Sequence, residues 1–519
     1  MSWKPEVEGI EERRRLALEH GGEEAVAKQH ELDRLTIRER IDALLDAESF
    51  GEQGPIAGHA ETDEDGRLEH FTPANYVLGM GRVAGRPVVV GGEDFTQRGG
   101  SPSAAGLRKS VFAEELAVQY RVPLVRFLQG GGGSVAGTGG KGAQVTAGSP
   151  VNTPHRFLSV AQAMASVPCV SAGLGAVAGL PAARLVAAHF SLMTKHSAQV
   201  LVAGPAVVER ALGESLSKEE LGGASVHGKT GVVDNVVADE SQAMDQIRTF
   251  LAFLPTNVWQ SAPRAECEDD PTRRDESLLS IIPRNRRQVY DPRELVSRVL
   301  DADSFFEMGG GYGRSQITGL ARLAGQPIGV WANDPRFYAG SMSAHGARKV
   351  RRFVDLCDTF HLPVVAFVDE PGFMIGSEAE RAATIRLGTE AMFAVVQSTV
   401  PWASVIVRKT YGVAAAAHFG PGGYVVGWPS IEGGPLPLEG GVAVAFRREI
   451  ESAADPEARR AELEAQLAER RTPFPRAEGF SVHDLIDPRE TRAALCQWIG
   501  WVQPLLPSLC GPRAYGPRP

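Results

Sequence analysis

Short apolar runs and helical stretches follow one another in this chain in an order that occurs twice. GRPVVVGGEDF (Gly85–Phe95) and GQPIGVWANDP (Gly325–Pro335) each predict a turn and then a short buried strand. In both copies a loop of small residues follows, GSPSAAGLRK at Gly100–Lys109 and GSMSAHGARK at Gly340–Lys349. A serine at its end predicts the start of a helix, over Ser103–Tyr120 and Ser343–Phe360, because a serine hydroxyl satisfies orphan amides of a first helical turn. Pro123 and Pro363 stand just past these helices, and LVRFL and VVAFV follow as strands. Strand, helix and strand at this spacing predict α/β units.

The two copies align without gaps from Gly79–Phe127 to Gly319–Phe367, with 18 identities over 49 positions. Chance from ordinary composition supplies roughly three. The period is domain-sized, far above the ~20–50 residues of a solenoid repeat. The pattern predicts two homologous domains, residues 1–260 and 291–519. The polar, proline-bearing stretch 261–290 reads as a linker between them. Thr36-Ile37-Arg38-Glu39 is a capping-box signal for an N-terminal helix, and the charged run 449–471 predicts a mostly solvated helix.

Composition narrows the function. A length of 519 residues exceeds one ordinary core, and the net charge of −9 disfavours a general phosphate-backbone binder. Five scattered cysteines with no CxxC pair fit a reducing compartment better than a disulfide framework or a zinc ribbon. The charged start has no apolar signal-peptide core, and no apolar run approaches the ~20 residues of a membrane span. The expectation is a soluble, cytoplasmic protein.

Candidate chemistry is sparse. Gln129–Gly142, QGGGGSVAGTGGKG, fails Walker spacing, leaving a flexible loop or a backbone surface closely approached by a ligand. Ser134 lacks the glycine frame of a nucleophile elbow. Asp369 and Glu370 are adjacent on a strand and point to opposite faces, so a turn-stabilising role is expected rather than an acid/base dyad. No metal spacing occurs among the 12 histidines, of which His418, in AAAAHFGPGG, is the one singled out. Two glycine-alanine segments, 167–185 and 400–419, each follow a buried-strand pattern. Small residues there either let free backbone amides point at a ligand oxygen or permit tight helix packing.

With these elements in place, the chain resembles the carboxyltransferase (β) subunit of biotin-dependent acyl-CoA carboxylases, of the propionyl-, methylcrotonyl- or acetyl-CoA type. The likeness is carried by LTIRERIDALLDAESF (35–50), EDFTQRGGS (93–101) and ELGGASVHGKTGVVD (220–234). In the second half it is carried by DPRELVSRVLDADSFFEMGGGYG, GLARLAGQPIGVWAND, FVDEPGF, RKTYG and WPS. The resemblance implies two α/β domains of the ClpP/crotonase fold, each a superhelix of ββα units. The first half would receive acyl-CoA and the second carboxybiotin, in a ring-like hexamer whose active site combines halves of different subunits.

The reaction implied is transfer of a carboxyl group from carboxybiotin to the α carbon of an acyl-CoA, through an enolate held by backbone oxyanion holes. A decarboxylase running the same chemistry backwards, or a non-catalytic paralogue within a carboxylase complex, are the alternatives. By resemblance the enolate hole is Gly179 and Leu180, and the ureido-oxygen hole is Val413 and Ala414. Substrate contacts fall at Arg98, Gly100, Ser101, Gly131, Gly132, Gly133, Ala136, Gly137 and Ala416, with structural capping as the competing role for Arg98 and Ser101. Biotin contacts fall at Tyr411, Gly412, Leu436 and Pro437. No side-chain base and no metal is implied. The chain shows no ATP-binding domain and no Met-Lys-Met site, so biotin would be carried by a partner with biotin carboxylase and carrier functions.

The departures from the family pattern gather at the site. The acid and arginine of the usual Asp-Ser-Gly-Gly-Ala-Arg run are missing from Gln129–Ser134, and Pro181 removes a potential donor from the first hole. Ala416 stands where a substrate-selecting side chain is usual, which implies a roomier pocket. Leu436-Pro437 replaces the usual Met-Gly.

Overall fold

The computed structural model describes residues 2–131, 155, 157–286, 288–469, 472–516 and 518. It divides into two compact units, chiefly Met1–Gln260 and Ser261–Tyr515. In the first, β1 (Tyr76–Val83) and β2 (Arg86–Glu93) form an antiparallel hairpin. Helix α1 (Ala104–Tyr120) crosses over, and β3 (Leu124–Gly130) lies parallel to β2. Strand β4 (Cys169–Ala178) joins β3, α2 (Leu180–Val186) follows, and β5 (Phe190–Thr194) joins β4, all in parallel. Gly51–Glu52 and Asn235–Val237 complete the edges, and Gln199–Leu201 pairs beside β4, giving eight strands.

The second unit repeats this order. Strands β6 (Gln316–Leu323) and β7 (Gln326–Asn333) form the hairpin, α3 (Ala344–Thr359) crosses, and β8 (Val364–Glu370) returns in parallel. Then come β9 (Trp402–Tyr411), the short helix α4 (Gly412–Ala416) and β10 (Tyr424–Gly427), again in an eight-stranded sheet. Register is repeated as well: Gly79 opposes Val90, and Gly319 opposes Val330.

The sequence explains these elements. Parallel strands covered on both faces need continuous apolar runs, and Val88–Val90 in β2 and Ile328, Val330 and Trp331 in β7 are buried. Helix α1 lays Ala113, Leu116 and Ala117 onto Val89, Leu124 and Cys169. Burial of a side chain such as Leu116 stabilises by roughly 1.5–3 kcal/mol. The expected caps are present: Ser103 Oγ accepts from the Gly106 amide at 3.0 Å, and Ser343 Oγ from Gly346 at 3.0 Å. The Thr36–Glu39 capping box also forms.

The glycine of the duplicated loop has a steric cause. Gly100 and Gly340 lie at φ 70° and 92°. A Cβ on them would stand 2.5 Å from the Gln129 carbonyl oxygen and 2.8 Å from that of Asp369. Only glycine lets this loop run against the carboxyl end of β3 or β8.

Two expectations change. The stretch expected to be a linker is bound into the second unit: Arg264 Nε donates to the Ala324 carbonyl at 3.1 Å, and Tyr290 Oη to Asp369 at 3.2 Å. Its polar residues serve turns and ion pairs, which composition alone does not distinguish from a tether. The charged run 449–471 is covered by two helices rather than one, Arg447–Ser452 and Pro456–Glu469, and its described residues are mostly solvated as expected. Leu463 packs with Leu438 and Val442. Among the described residues no helix is long and apolar enough to cross a membrane.

His418 is buried in the second core, its ring stacked on Trp331 with centroids 3.9 Å apart. Neither ring nitrogen makes a well-aligned hydrogen bond among the described residues, and burial pushes its pKa down to about 3, against the pull of the Ala414 and Ala415 backbone. The unfolded imidazole titrates near ~6.5, so between these values the unfolded chain binds the extra proton. The contribution to stability is intact above ~6.5 and is lost as pH falls, by about 2 kcal/mol at pH ~5. Leu185 holds the equivalent place after β4 in the first unit. Urea titrations of His418→Leu at neutral pH and at pH ~5 are therefore expected to show about 2 kcal/mol less acid destabilisation than the native chain.

Candidate functional site

Each unit turns its fourth central strand sharply into a short helix through one glycine. Strand β4 ends at Ala178, and Gly179 has φ 65° and ψ −127° before α2 begins. Strand β9 ends at Tyr411, and Gly412 has φ 61° as α4 begins. Both strands have ten residues, so their turns correspond at a separation of 233 residues, from Cys169 to Trp402. Gly179 matches Gly412, Leu180 matches Val413, and Pro181 matches Ala414. The two residue pairs expected as oxyanion holes are thus out of step by one position: Val413 and Ala414 correspond to Leu180 and Pro181.

First-turn amides of a helix have no intrahelical acceptor, which frees them for a ligand oxygen. Leu180, Val413 and Ala414 carry such N–H groups; Pro181 carries none. Gly179, Gly412, Val413 and Ala416 are exposed, and Leu180 is half-buried.

In the first unit, Gly100 and Leu180 line one small crevice together with Glu93, Pro181 and Arg184. Ser101 and Gly131 lie beside it in the chain and next to each other: a Cβ on Gly131 would stand 3.5 Å from Ser101 Oγ. The Gly131 amide donates to the Gly99 carbonyl at 3.1 Å. Arg98, exposed and at φ 53°, opens this loop. Asn75 clamps it, donating to the Ser101 carbonyl at 2.6 Å and accepting from the Ser103 amide at 3.0 Å. Gly132, Gly133, Ala136 and Gly137 lie outside the described residues.

Beneath the crevice is a buried ionic network that the sequence reading missed. Glu114 on α1 accepts from Arg184 Nε at 2.9 Å and Arg126 Nη1 at 3.2 Å. Arg184 Nη1 also donates to Ser110 Oγ at 2.8 Å, tying α2 to α1. Glu93 accepts from the Gln129 amide at 3.3 Å. Burial pushes its carboxyl up to about 7, against the pull of Arg184 and Arg126. The available signal was a charged residue inside an apolar strand run, Arg126 in LVRFL and Glu93 closing VVVGGE.

In the second unit, the Tyr411 side chain is buried and its hydroxyl donates to Glu432 at 3.2 Å. Strand Glu432–Gly434 pairs alongside β9, with Tyr411 opposite Gly434. That pairing carries Leu436, which is exposed, and Pro437 to the neighbourhood of Gly412; a Cβ on Gly412 would stand 3.5 Å from the Pro435 oxygen. Glu432 also lines a cavity of about 530 Å³, together with Arg286, Arg408, Trp428 and Ser430.

Asp369 pairs with Arg408 at 2.8 Å, while Glu370 accepts from the Gly372 amide at 2.9 Å and from Asn333 at 3.1 Å. The two carboxyls do face different partners, and Glu370 holds the turn. Cys267, Asp269 and Asp301 approach within 4.8 Å of one another. The Asp301 oxygens, however, are committed to the Ala324 and Gly325 amides and to Arg492.

A family model described as carboxyl transferase domain matches residues 28–500. The chain is 34% identical over 502 residues to a propionyl-CoA carboxylase, carboxyltransferase subunit, of Haloferax mediterranei, covering 95% of each. It is 32% identical over 479 residues to the methylmalonyl-CoA decarboxylase subunit alpha of Veillonella parvula, covering 92% of this chain and 91% of the relative. Among solved structures, the transcarboxylase 12S hexamer with methylmalonyl-coenzyme A and methylmalonic acid bound superposes with a TM-score of 0.85 at 29% identity, covering 100% of this chain and 98% of that one. A single-chain, multi-domain long-chain acyl-CoA carboxylase gives a TM-score of 0.81 at 30% identity, over 96% of this chain and 48% of that one. The two sheet units are accordingly the two crotonase-like domains expected from the sequence.

The turn glycines are expected to be irreplaceable without strain. Gly179→Ala and Gly412→Ala force a Cβ into backbone that side chains rarely adopt, at a cost of about 1–3 kcal/mol each, measurable by urea unfolding.

Proposed function

The chain belongs to the carboxyl transferase domain family, and on that premise we propose that it is the carboxyltransferase subunit of a biotin-dependent acyl-CoA carboxylase. It moves a carboxyl group from carboxybiotin to the α carbon of an acyl-CoA. The observation that carries this reading is the repeated strand–glycine–helix turn, Gly179 at φ 65° and Gly412 at φ 61°, in two units of identical strand order. Two substrates each present one oxygen that becomes more negative or more basic during transfer, and the chain has one amide-bearing turn per half.

In the first half, the Leu180 amide faces the thioester oxygen, and Gly100, Ser101 and Gly131 form the rim that the CoA passes. In the second, the Val413 and Ala414 amides face the ureido oxygen, and the exposed Val413 and Leu436 side chains offer an apolar surface that fits a bicyclic ring. Carboxybiotin supplies CO2 and a ureido nitrogen able to take the α-proton. The chain holds both oxygens in fixed dipoles that need no reorganisation as charge develops. Ala416, exposed and small, leaves room for the acyl group.

Biotin is carried by a partner subunit with biotin carboxylase and carrier functions, since no Met-Lys-Met site occurs in the chain. Likeness to the transcarboxylase 12S hexamer supports a hexameric core. Five free cysteines support a cytoplasmic location. Likeness to the methylmalonyl-CoA decarboxylase subunit favours a second reading, the same chemistry in the reverse direction.

The test mixes the full-length chain with carboxylated biotin carrier and a panel of acyl-CoAs. Labelled carboxyl is expected in at least one thioester, and its absence from all of them, together with no reverse transfer from malonyl- or methylmalonyl-CoA, overturns the reading. Ala414→Pro copies Pro181 of the first half, so the fold is expected to hold. Loss of one oxyanion donor is expected to lower kcat by about 100–1,000-fold.

A further inference from the structure

The crevice between Gly100 and Leu180 measures about 20 Å³, room for a single water-sized atom. Its polar lining is built of buried side chains. Arg184 is 3% exposed, and its Nη2 has no hydrogen-bond partner among the described residues although Nε and Nη1 are engaged. A buried guanidinium N–H without an acceptor is costly unless something occupies the space it faces. Glu93 lines the same crevice.

Charge in this region does not balance. Arg126 and Arg184 share one carboxylate, Glu114. The fourth buried charge-bearing group is Glu93, which burial holds near its midpoint at neutral pH. With Glu93 protonated, one positive charge beneath the Leu180 turn is uncompensated. The other groups around Glu93 do not cancel it. Tyr76 on β1 is held protonated by burial, Lys109 on α1 is turned to the Gly54 carbonyl, and Asp94 is paired with His20.

The duplication provides an internal control. At the positions corresponding to Glu114, Arg126 and Arg184 the second unit has Val354, Ala366 and Ala417, all buried. Where the first unit has Glu93 the second has Asn333, whose oxygen accepts the Asp369 amide at 2.9 Å, as Glu93 accepts that of Gln129 at 3.3 Å. The same backbone bond is thus made by a permanently neutral amide in one half and by a carboxyl in the other. The fold does not require charge here, and only the half with the proline-depleted turn contains it.

We propose that Arg184 is a catalytic residue of the acyl-CoA half, its Nη2 donating to the thioester oxygen seated in this crevice in place of the amide that Pro181 removes. Glu93 is its positioning partner: as a neutral acid it leaves the Arg184 charge available, and as a carboxylate it neutralises it. The inference rests on the carboxyltransferase reading. It also gives the chain an enolate site that weakens as pH rises, because the developing oxyanion competes with ionised Glu93 for one guanidinium.

The experiment uses the full-length chain with methylmalonyl-CoA and free biotin, following transfer of the carboxyl group and release of propionyl-CoA. Calorimetric binding of propionyl-CoA and of its nitronate analogue, a stable mimic of the enolate charge, is measured in parallel. Arg184→Met is expected to lower kcat by about 100-fold or more with KM within about threefold, and to abolish the preference for the nitronate. Arg184→Lys keeps much of that preference, and Glu93→Gln, which copies Asn333, removes the fall in preference as pH rises through about 7.

An unchanged nitronate preference in Arg184→Met that unfolds at the native urea midpoint overturns the proposal; a structural water then occupies the crevice. So does a Glu93→Gln variant with the native pH dependence. A native chain that transfers no carboxyl group to or from any acyl-CoA of the panel overturns the carboxyltransferase reading itself, which separates the two failures.

Discussion

The molecule depends on a glycine at positive φ where a buried parallel strand passes into a short helix. A strand in mid-sheet has its amides bonded to neighbours, and a helix bonds all but its first-turn amides internally. At the junction the first-turn amides of the helix are left without backbone partners, and a glycine at positive φ makes the turn. Gly179 and Gly412 occupy such junctions at the ends of β4 and β9. The surrounding sheet, buried on both faces, fixes these turns by packing rather than by loop contacts. A turn held in this way needs an apolar scaffold, which accounts for strand runs such as VVAFV.

The two halves hold their turns in different ways. In the first, Glu114, Arg126 and Arg184 tie α1, β3 and α2 together through buried ion pairs. In the second, Val354, Ala366 and Ala417 fill the same positions by close packing. Buried ion pairs are weak evidence for stability, because desolvation offsets most of the attraction. Their presence beneath only one of two otherwise matched turns shows that the fold itself does not require them, and Arg184 lines the water-sized crevice beside Leu180.

Much of this was legible in the sequence because it depends on local rules. Ser103 and Ser343 cap helices wherever a hydroxyl precedes a helical run, and Gly100 and Gly340 are written twice because the loop crosses a strand end in both halves. The family motifs led to the two turns, and Leu180, Val413 and Ala414 do carry first-turn amides. The one-residue offset between the expected pairs was not legible, since the two turns are separated by 233 residues while the loop repeat has a period of 240, and only strand ends show where the spacing changes. The stretch 261–290 misled for a related reason: polar residues that cap and pair have the composition of a tether.

What the sequence by itself determined is the duplicated α/β architecture, the caps, the glycines and the family, all of which rest on short-range sterics and periodicity. What only the tertiary structure decided is which charged residues meet. Glu93, Glu114, Arg126 and Arg184 are spread over 92 positions, from 93 to 184, on four different elements. No periodicity links them, and their ionisation and pairing are set by the burial that arises when those elements pack together.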